Sequence, residues 1–231
     1  MPSKVPKHIA IILDGNRRYA KKLGMQPWKG HEFGVKKLEE LLEWCRELGV
    51  KEVTLYSFST ENFKRTKQEK NFLFDIFKNE FNNMKYKGSI FKNRIRVNVI
   101  GRLDMFPKDI RKSMKEIMYK TRNHNNFIVN FAMAYGGRQE IVDAFKKIIK
   151  ETKNLKPSQI DEELITENLY LKSEPDMVIR PGGETRTSNF LTWQSVYSEF
   201  VFLDKLWPEF TKKDLIKCIE EFKRRERRFG E

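Results

Sequence analysis

The sequence predicts an α/β fold in which a mostly parallel six-stranded sheet is flanked by helices. At 231 residues the chain can bury one substantial core, and we interpret residues 1–231 as a single domain. Short runs typical of buried strands alternate with helix-length segments, and four of those segments have apolar residues at helical spacing. Such alternation is typical of sheets with helices on both faces.

Six apolar runs have the length and composition of strands. Helix-length segments separate most of them, so the strands are expected to be joined by crossovers and to run parallel. In chain order the predicted strands are 9–13, 53–58, 95–100, 127–132, 177–179 and 199–203.

Helices are predicted where apolar residues recur every three or four positions. The first has Leu38, Leu41 and Cys45 on one face, and Gly49 follows where a helix C-terminus favours glycine. The remaining helices are expected at 73–84, 141–149 and 215–222 and after Pro107. The polar stretch 151–158 is predicted to be a surface loop rather than a domain boundary.

Composition restricts the environment and the partners. Lys and Arg outnumber Asp and Glu by 46 to 32, which favours phosphates, nucleic acid or an anionic bilayer without choosing among them. The apolar run at 9–13 is too short for a signal peptide, and no stretch approaches the roughly 20 apolar residues of a membrane span. We therefore expect a soluble cytoplasmic protein that contacts a membrane only peripherally. Cys45 and Cys218 are expected to be reduced thiols in helix packing.

Polar clusters follow three of the predicted strands. Residues 14–18 follow the first strand, residues 59–62 with Arg65 follow the second, and residues 180–189 follow the fifth. In open α/β sheets, ligands bind outside the carboxyl ends of the strands. The three clusters are therefore predicted to form one site at a single edge of the sheet.

This site has the residue types that bind phosphates. Gly15 permits a tight turn at a helix N-terminus, where backbone amides and the following Arg17 and Arg18 suit a diphosphate. In the third cluster, Arg180 and Arg186 offer the planar fork that contacts phosphate through two bonds. No P-loop and no dinucleotide fingerprint occurs, which argues against a nucleotidase or a dinucleotide enzyme.

A diphosphate usually requires a divalent cation. Because Mg²⁺ takes one or two carboxylates together with phosphate oxygens and water, Asp14 is a natural ligand. The second carboxylate could come from Glu61, Glu184 or Glu199, and sequence spacing does not choose among them.

Several segments of the chain resemble the signature blocks of the cis-prenyltransferase (undecaprenyl diphosphate synthase) family. They are HIAIILDGNRRYA, GH, LYSFSTENFKR, RPGGETRTSNFLTWQSVYSEFVF and WPEF, in the order of the family, and the resemblance continues through RRERRFG. It implies a magnesium-dependent condensation of isopentenyl diphosphate onto an allylic prenyl diphosphate with a C15 or C20 primer. The implied product is a long-chain polyprenyl diphosphate, the precursor of a glycosyl carrier lipid.

The same resemblance implies roles for individual residues. Asp14 would be the catalytic carboxylate and a magnesium ligand, Glu199 would complete the metal site, and Asn62 would assist loss of a proton from isopentenyl diphosphate. The substrate-binding residues would be Gly15, Asn16, Arg17, Arg18, Tyr19, His31, Ser59, Thr60, Glu61, Phe63, Arg65, Arg180, Arg186, Thr187 and Ser188.

The chain departs from the family pattern at four of these or neighbouring positions. Tyr19 and Phe63 stand where the family usually has tryptophan, which keeps aromatic character. Pro27 replaces a common arginine, with Lys29 nearby, and Thr185 stands where histidine is frequent.

Two further features concern the product and the assembly. The chain contains 18 phenylalanines, which fit either an ordinary aromatic core or an apolar tunnel for a prenyl chain; residues 72–81 contain four of them. In the family the ending Arg-x-Gly, here Arg228-Phe229-Gly230, is associated with the active site of a partner, which implies a homodimer.

Two other functional classes remain open. A non-catalytic subunit of a heteromeric prenyltransferase would be expected to lack the catalytic aspartate and much of the phosphate cluster, whereas Asp14, Asn62 and Arg186 are present. A basic nucleic-acid-binding protein would bind oligonucleotides with steep salt dependence, but no recognised nucleic-acid motif occurs, so no nucleic-acid partner is expected.

Overall fold

Six parallel strands form one sheet in the computed structural model, which describes residues 5–152 and 155–225. The strands are β1 (His8–Ile12), β2 (Glu52–Ser59), β3 (Ile95–Ile100), β4 (Phe127–Tyr135), β5 (Met177–Pro181) and β6 (Glu199–Leu203). Their order across the sheet is β3-β4-β2-β1-β5-β6, and every described pairing is parallel. The predicted α/β class and the six predicted strands are confirmed.

The helices connect these strands. They are α1 (Asn16–Lys22), α2 (Gly30–Glu47), α3 (Lys67–Met84), α4 (Gly88–Lys92), α5 (Lys108–Thr121), α6 (Gly137–Glu151), α7 (Glu162–Asn168) and α8 (Lys212–Arg224). The helices predicted from periodicity, including the one after Pro107, are confirmed. The sequence did not predict α4 and α7, because five and seven residues are too few for a periodic pattern.

Burial explains why these segments take their places. All five residues of β1 are buried, as expected for a central strand with helices on both faces. Helices α2, α3, α5 and α8 pack on one face around the larger core cluster, while α6 and α7 cover the other face. Cys45 and Cys218 are free, buried thiols in the larger cluster, so the prediction of reduced helix-packing cysteines is confirmed.

Local capping fixes the start of two helices beside the site. The Thr66 hydroxyl accepts the Glu69 amide at 3.3 Å and begins α3. At the start of α8, the Thr211 hydroxyl and the Asp214 carboxylate cap one another's backbone amides. Such caps satisfy the unpaired amides of a first helical turn.

Strand order creates the place for a ligand. The chain leaves β1 towards β2 on one side, and it later returns to place β5 on the other side of β1. The carboxyl end of β1 is therefore a topological switch point, where α/β proteins bind ligands.

Among residues 5–152 and 155–225, no helix has both the length and the apolar character that a bilayer span requires.

Candidate active site

A cavity of about 1480 Å³ lies between α2 and α3 on one face of the sheet. At the carboxyl edge of the sheet it is lined by Asp14, Asn62 and Arg180, and it reaches Ile90 and Ile95 at the amino edge. The apolar part of the wall includes Val35, Leu38, Leu42, Leu73, Ile76, Phe77, Phe81, Met84, Phe131 and Met133. The volume exceeds the roughly 300–1,000 Å³ of ordinary small-molecule pockets.

An ion pair stands at the carboxyl-edge mouth of this cavity. Arg180 is 4% exposed, and its Nη2 donates to Asp14 Oδ2 at 2.9 Å. Its Nη1 donates to the Ser188 hydroxyl at 2.8 Å and to the carbonyl of Arg186. The other Asp14 oxygen accepts from Arg18 Nη2 at 3.2 Å. A guanidinium this deeply buried requires such partners, because an unpaired buried charge is costly.

Two glycines allow the turns that carry this pair to approach each other. Gly15 and Gly182 have φ of +106° and +107°, a backbone conformation that residues other than glycine rarely adopt. A Cβ at Gly182 would lie 2.7 Å from Arg18 Nη2 and 3.2 Å from Asp14 Cβ. The amide of Trp207 also donates to the Asp14 carbonyl at 2.9 Å, which fixes the backbone of the aspartate. A side chain at Gly182 would therefore require both a rarely adopted φ and a shift of the Arg18 guanidinium.

A second charged cluster centres on a buried glutamate of α3 that the sequence analysis missed. Glu69 is 4% exposed, and its Oε1 lies 3.0 Å from Arg65 Nη1, 3.6 Å from His31 Nε2 and 3.7 Å from Arg17 Nε. Arg65 Nη1 also lies 3.3 Å from His31 Nε2. Burial lowers the pKa of His31, so the imidazole is neutral near pH 7. Arg65 precedes Lys67, the first residue of α3, and its spacing of four residues from Glu69 was the available signal.

The turn after β2 places Asn62 at the cavity. The Asn62 Oδ1 accepts the amide of Ser59 at 3.1 Å, and the Ser59 side chain caps the Asn62 amide in return. Because the amide oxygen is turned towards the backbone, the Nδ2 group is the end left for a ligand. Ser59, Glu61 and Asn62 all line the cavity, whereas the hydroxyl of Thr60 is buried without a partner in the described chain.

The loop after β5 is held in a strained conformation. Ser188, Asn189 and Leu191 have φ between +45° and +64°, and such residues typically cost about 1–3 kcal/mol each. Asn189 ties the loop to α6, since its carbonyl accepts the Gly137 amide at 2.7 Å and its Oδ1 accepts the Arg138 amide at 2.9 Å. The Tyr56 hydroxyl donates to the Ser188 carbonyl at 3.2 Å.

The structure brings together many, but not all, of the predicted binding residues. Those that line the cavity are Asp14, Asn16, His31, Ser59, Glu61, Asn62, Arg65, Arg180 and Ser188. Those that do not line it are Gly15, Arg17, Arg18, Tyr19, Thr60, Phe63, Arg186 and Thr187. Arg17 and Arg18 stand beside it through their contacts with Glu69 and Asp14. Arg186 is exposed and turns back to Glu184, with the two charged groups 2.5 Å apart.

The two aromatic residues that replace the family's tryptophans pack against protein. The Tyr19 ring meets the Phe33 ring edge-on at 5.3 Å between centroids. Phe63 packs against Phe58 and Phe106 at 5.0 and 5.6 Å. Of the aromatic run on α3, Phe77 and Phe81 line the cavity and Phe72 and Phe74 do not.

The predicted role of Glu199 in the metal site stays a prediction, and within one chain the sheet places this residue away from Asp14. Glu199 is the first residue of β6 and is level with Met177, which is in turn level with Ile9 on β1. Asp14 lies five residues after Ile9, or roughly 16 Å at about 3.3 Å per residue. Glu199 instead faces Arg225, with 2.7 Å between Oε2 and Nη1. Within one chain the sheet register therefore separates the two carboxylates.

The remaining donors at the mouth suit one kind of metal site. The described residues contain no group of three or more His, Cys, Asp or Glu side chains placed to hold a metal. Asp14 nevertheless reaches the cavity with a carboxylate whose oxygens each accept only one described hydrogen bond, so lone pairs remain. This donor set fits Mg²⁺, which commonly uses one carboxylate with substrate phosphates and water.

Comparisons with known proteins agree with this geometry. The family model for undecaprenyl diphosphate synthases matches residues 12–230. The chain is 50% identical to a tritrans,polycis-undecaprenyl-diphosphate synthase (geranylgeranyl-diphosphate specific) of Thermococcus kodakarensis, covering 98% of this chain and 87% of that protein. It is 45% identical to an isoprenyl transferase of Thermus thermophilus, with coverages of 98% and 89%. A lavandulyl diphosphate synthase from Lavandula x intermedia, solved with dimethylallyl diphosphate, superposes with TM-score 0.93 at 33% identity and 99% coverage of both chains.

Proposed function

Because this chain belongs to the undecaprenyl diphosphate synthase family, we propose that it condenses isopentenyl diphosphate repeatedly onto an allylic prenyl diphosphate in cis. The observation that carries the proposal is the buried Arg180–Asp14 pair at the mouth of a large apolar cavity. A charged mouth suits a diphosphate, and an apolar interior suits a hydrocarbon chain that must stay out of water.

The proposed reaction breaks the bond between the allylic carbon and its diphosphate while a new carbon–carbon bond forms to isopentenyl diphosphate. The diphosphate leaves with the bonding electrons, and a proton is lost from the isopentenyl unit. Arg18 and Arg180 lie where they would stabilise the charge that develops on the leaving group. His31, neutral at pH 7, and Arg65 would hold further phosphate oxygens, and the Asn62 amide would orient the isopentenyl group.

Asp14 would hold the magnesium ion together with substrate phosphate oxygens. When bound, the ion would neutralise part of the diphosphate charge. The chain's own arginines supply the remaining positive charge, and Trp207 keeps the Asp14 backbone in position.

The cavity is proposed to be the tunnel for the growing chain. Phe77 and Phe81 line it in the second half of α3 and are candidates for the residues that limit product length. Because the relatives from Thermococcus and Pyrococcus are named as specific for geranylgeranyl diphosphate, we propose a C20 primer over a C15 primer. The product would serve as precursor of a glycosyl carrier lipid on the cytoplasmic side of a membrane.

A homodimer is part of the proposal. Strand β6 is an edge strand; Phe202 within it is 37% exposed, and Val196 just before it is 70% exposed. An apolar edge of this kind is a suitable surface for a second copy. The Arg228-Phe229-Gly230 segment, which the resemblance implies for a partner's active site, lies outside the described residues. Deleting the last four residues is expected to reduce activity more than stability.

The two alternative classes differ from this proposal at the cavity. A non-catalytic subunit would have no use for a buried Arg180 held by Asp14 beside an apolar tunnel. A nucleic-acid-binding protein would require the cationic groups of the site to be exposed, whereas Arg180 is only 4% exposed.

The proposal is tested by incubating the purified chain with Mg²⁺, labelled isopentenyl diphosphate and one of three allylic primers, C10, C15 or C20. Mass spectrometry of the extracted lipids measures product length. We expect long-chain polyprenyl diphosphates, formed fastest from the C20 primer, and no product without primer or with a chelator. Absence of product from all three primers would contradict the proposal.

A further inference from the structure

The amino edge of the sheet has a second cationic surface that the proposed reaction does not use. We define the distal face as residues 83–96 and 111–122. The first segment contains the end of α3, all of α4 and the start of β3, and the second contains most of α5. These segments contain ten Lys and Arg residues against one acidic residue, Glu116. They lie side by side, since Lys85 Nζ reaches Glu116 at 2.5 Å and Arg94 Nη2 donates to the Asn123 carbonyl at 3.0 Å.

Most of this charge is available to a partner. Glu116 is engaged by Lys85 and Lys112 of the distal face, and the neighbouring Glu39 is engaged by Lys87. Lys92, Arg96 and Lys115 are exposed and form no ion pair with another described residue. The distal face is therefore strongly cationic.

Two exposed aromatic rings distinguish the distal face from an ordinary solvated charge run. Tyr86 and Tyr119 are 79% and 65% exposed. Lys120 Nζ lies 5.0 Å from the centre of the Tyr86 ring, and the Arg122 guanidinium lies 3.8 Å from that of Tyr119. Exposed tyrosines among lysines and arginines are the residue types that occupy the headgroup region of a bilayer.

The apolar cavity ends at this same surface. Its lining at the amino edge includes Tyr86, Lys87, Ser89, Ile90 and Asn93, of which Tyr86, Lys87 and Ser89 are exposed. The diphosphate site lies at the opposite, carboxyl edge of the sheet. A lipid tail that fills the cavity would therefore approach the surface beside the two tyrosines.

We propose that the distal face docks the protein onto an anionic membrane, with the tyrosines in the headgroup region and the far end of the cavity turned to the lipid. The charge complementarity selects anionic headgroups, because each Lys or Arg near such a surface contributes to binding. The proposal rests on the proposed function in one respect: a polyprenyl tail bound in the cavity is what would make it useful for the cavity to open towards lipid. The charged and aromatic surface stands without it.

The test is co-sedimentation of the full chain with vesicles of phosphatidylcholine alone or of phosphatidylcholine mixed with phosphatidylglycerol. We expect binding to the mixed vesicles only, weakened by added salt. A triple variant, Lys115→Gln, Lys120→Gln and Arg122→Gln, should weaken that binding about tenfold or more. The matched control, Lys146→Gln, Lys147→Gln and Lys150→Gln, removes the same charge from α6 on the other face of the sheet and should change binding less than about twofold.

Tyr119→Ser provides a second arm that leaves the charge unchanged, and it should also reduce vesicle binding. Equal weakening in both triple variants, or no binding by the wild type, would overturn the docking surface. Tighter binding of a duplex oligonucleotide than of mixed vesicles, lost in the distal triple variant, would overturn the choice of a membrane.

Turnover in detergent-free buffer separates this proposal from the proposed function. We expect the distal triple variant to keep wild-type condensation activity in solution, since none of the three residues lines the cavity. A wild type that binds mixed vesicles but forms no product would refute the enzymatic proposal and leave the docking surface intact. A wild type that forms product but does not bind mixed vesicles would refute the docking surface and leave the enzymatic proposal intact.

Discussion

The two edges of the sheet are both rich in cations, yet they are built differently. At the carboxyl edge the cations are partly desolvated and held by carboxylates, as in Arg180 with Asp14 and Arg65 with Glu69. At the amino edge Lys92, Arg96 and Lys115 are exposed and have no described ion pair. A desolvated cation with a fixed partner can hold one ligand in one orientation, whereas exposed cations attract any anionic surface. The cations that contribute to the net charge of +14 therefore belong to two different kinds of site.

The largest effect is expected from a substitution at Asp14, in the centre of the carboxyl-edge site. Asp14→Ala should retain the fold and reduce kcat by about a thousandfold, because it removes the proposed metal ligand and the partner of Arg180. Asp14→Asn keeps an acceptor for Arg180 and separates loss of charge from loss of structure. Asp104→Ala, at an exposed position after β3, is the control. Turnover within about tenfold of wild type in Asp14→Ala would remove this aspartate from the proposed chemistry.

The second effect tests whether the buried glutamate positions the neighbouring cations. Glu69→Gln should raise KM for the diphosphate substrates about tenfold with a smaller change in kcat, since Arg65 and His31 lose their common anchor. The free energy of unfolding should fall by roughly 1–3 kcal/mol, the usual cost of losing hydrogen bonds to charged groups. Asp75→Asn on the exposed side of α3 controls for charge. An altered stability with unchanged KM would mean that Glu69 is structural only.

Much of the carboxyl-edge site could be predicted because one rule of sheet geometry governs it. Parallel strands end at a common edge, so residues after β1, β2 and β5 had to meet, and the structure brings Asp14, Asn62 and Arg180 to one cavity. The rule does not reach Glu199, because that residue begins a strand instead of following one. Residue type alone had offered Glu199 as one of three possible second carboxylates, and the family resemblance then singled it out.

Other features could not be obtained from the sequence because they depend on packing between distant segments. Glu69 has the pattern of an ordinary helix-surface glutamate, and its burial follows from α2 placing His31 against it. The outward turn of Arg186 depends on the conformation of the loop after β5. The ring partners of Tyr19 and Phe63 likewise depend on the neighbouring helices and loops.

The third effect concerns the cavity that joins the two edges. Phe77→Ala or Phe81→Ala should lengthen the product by one or more isoprene units, because each removes a ring from the apolar wall. Phe81 is 3% exposed and packs on Phe131, so Phe81→Leu is a milder variant if alanine costs the usual roughly 3–5 kcal/mol. Phe72→Ala, outside the cavity, is the control, and mass spectrometry measures the lengths. Unchanged lengths in every folded variant would place the limit elsewhere.

The smallest effect is expected at Glu140, which tests whether a buried carboxylate belongs to the active site merely because it is buried. Glu140 is 1% exposed, accepts the Leu171 amide at 3.0 Å and bonds the Tyr135 hydroxyl, but has no cationic partner among the described residues. Burial raises the pKa of Glu140, whereas the pKa of Glu69 is lowered, first by its contact with His31 and then by Arg65 and Arg17. The folded state therefore binds the Glu140 proton more tightly than the unfolded chain does, and this contribution to stability is lost as pH rises through the raised pKa.

Glu140→Gln removes that titration while keeping an acceptor for Leu171 and a donor for Tyr135. Activity should be unchanged, and the Tm of the variant relative to wild type should increase with pH, by at least about 2 °C between roughly pH 5 and pH 8. Glu163→Gln, at an exposed position on α7, controls for the loss of one charge. A Tm difference that stays constant over this range would show that Glu140 does not titrate there. A loss of turnover in the folded variant would show instead that this uncompensated carboxylate belongs with the carboxyl-edge site.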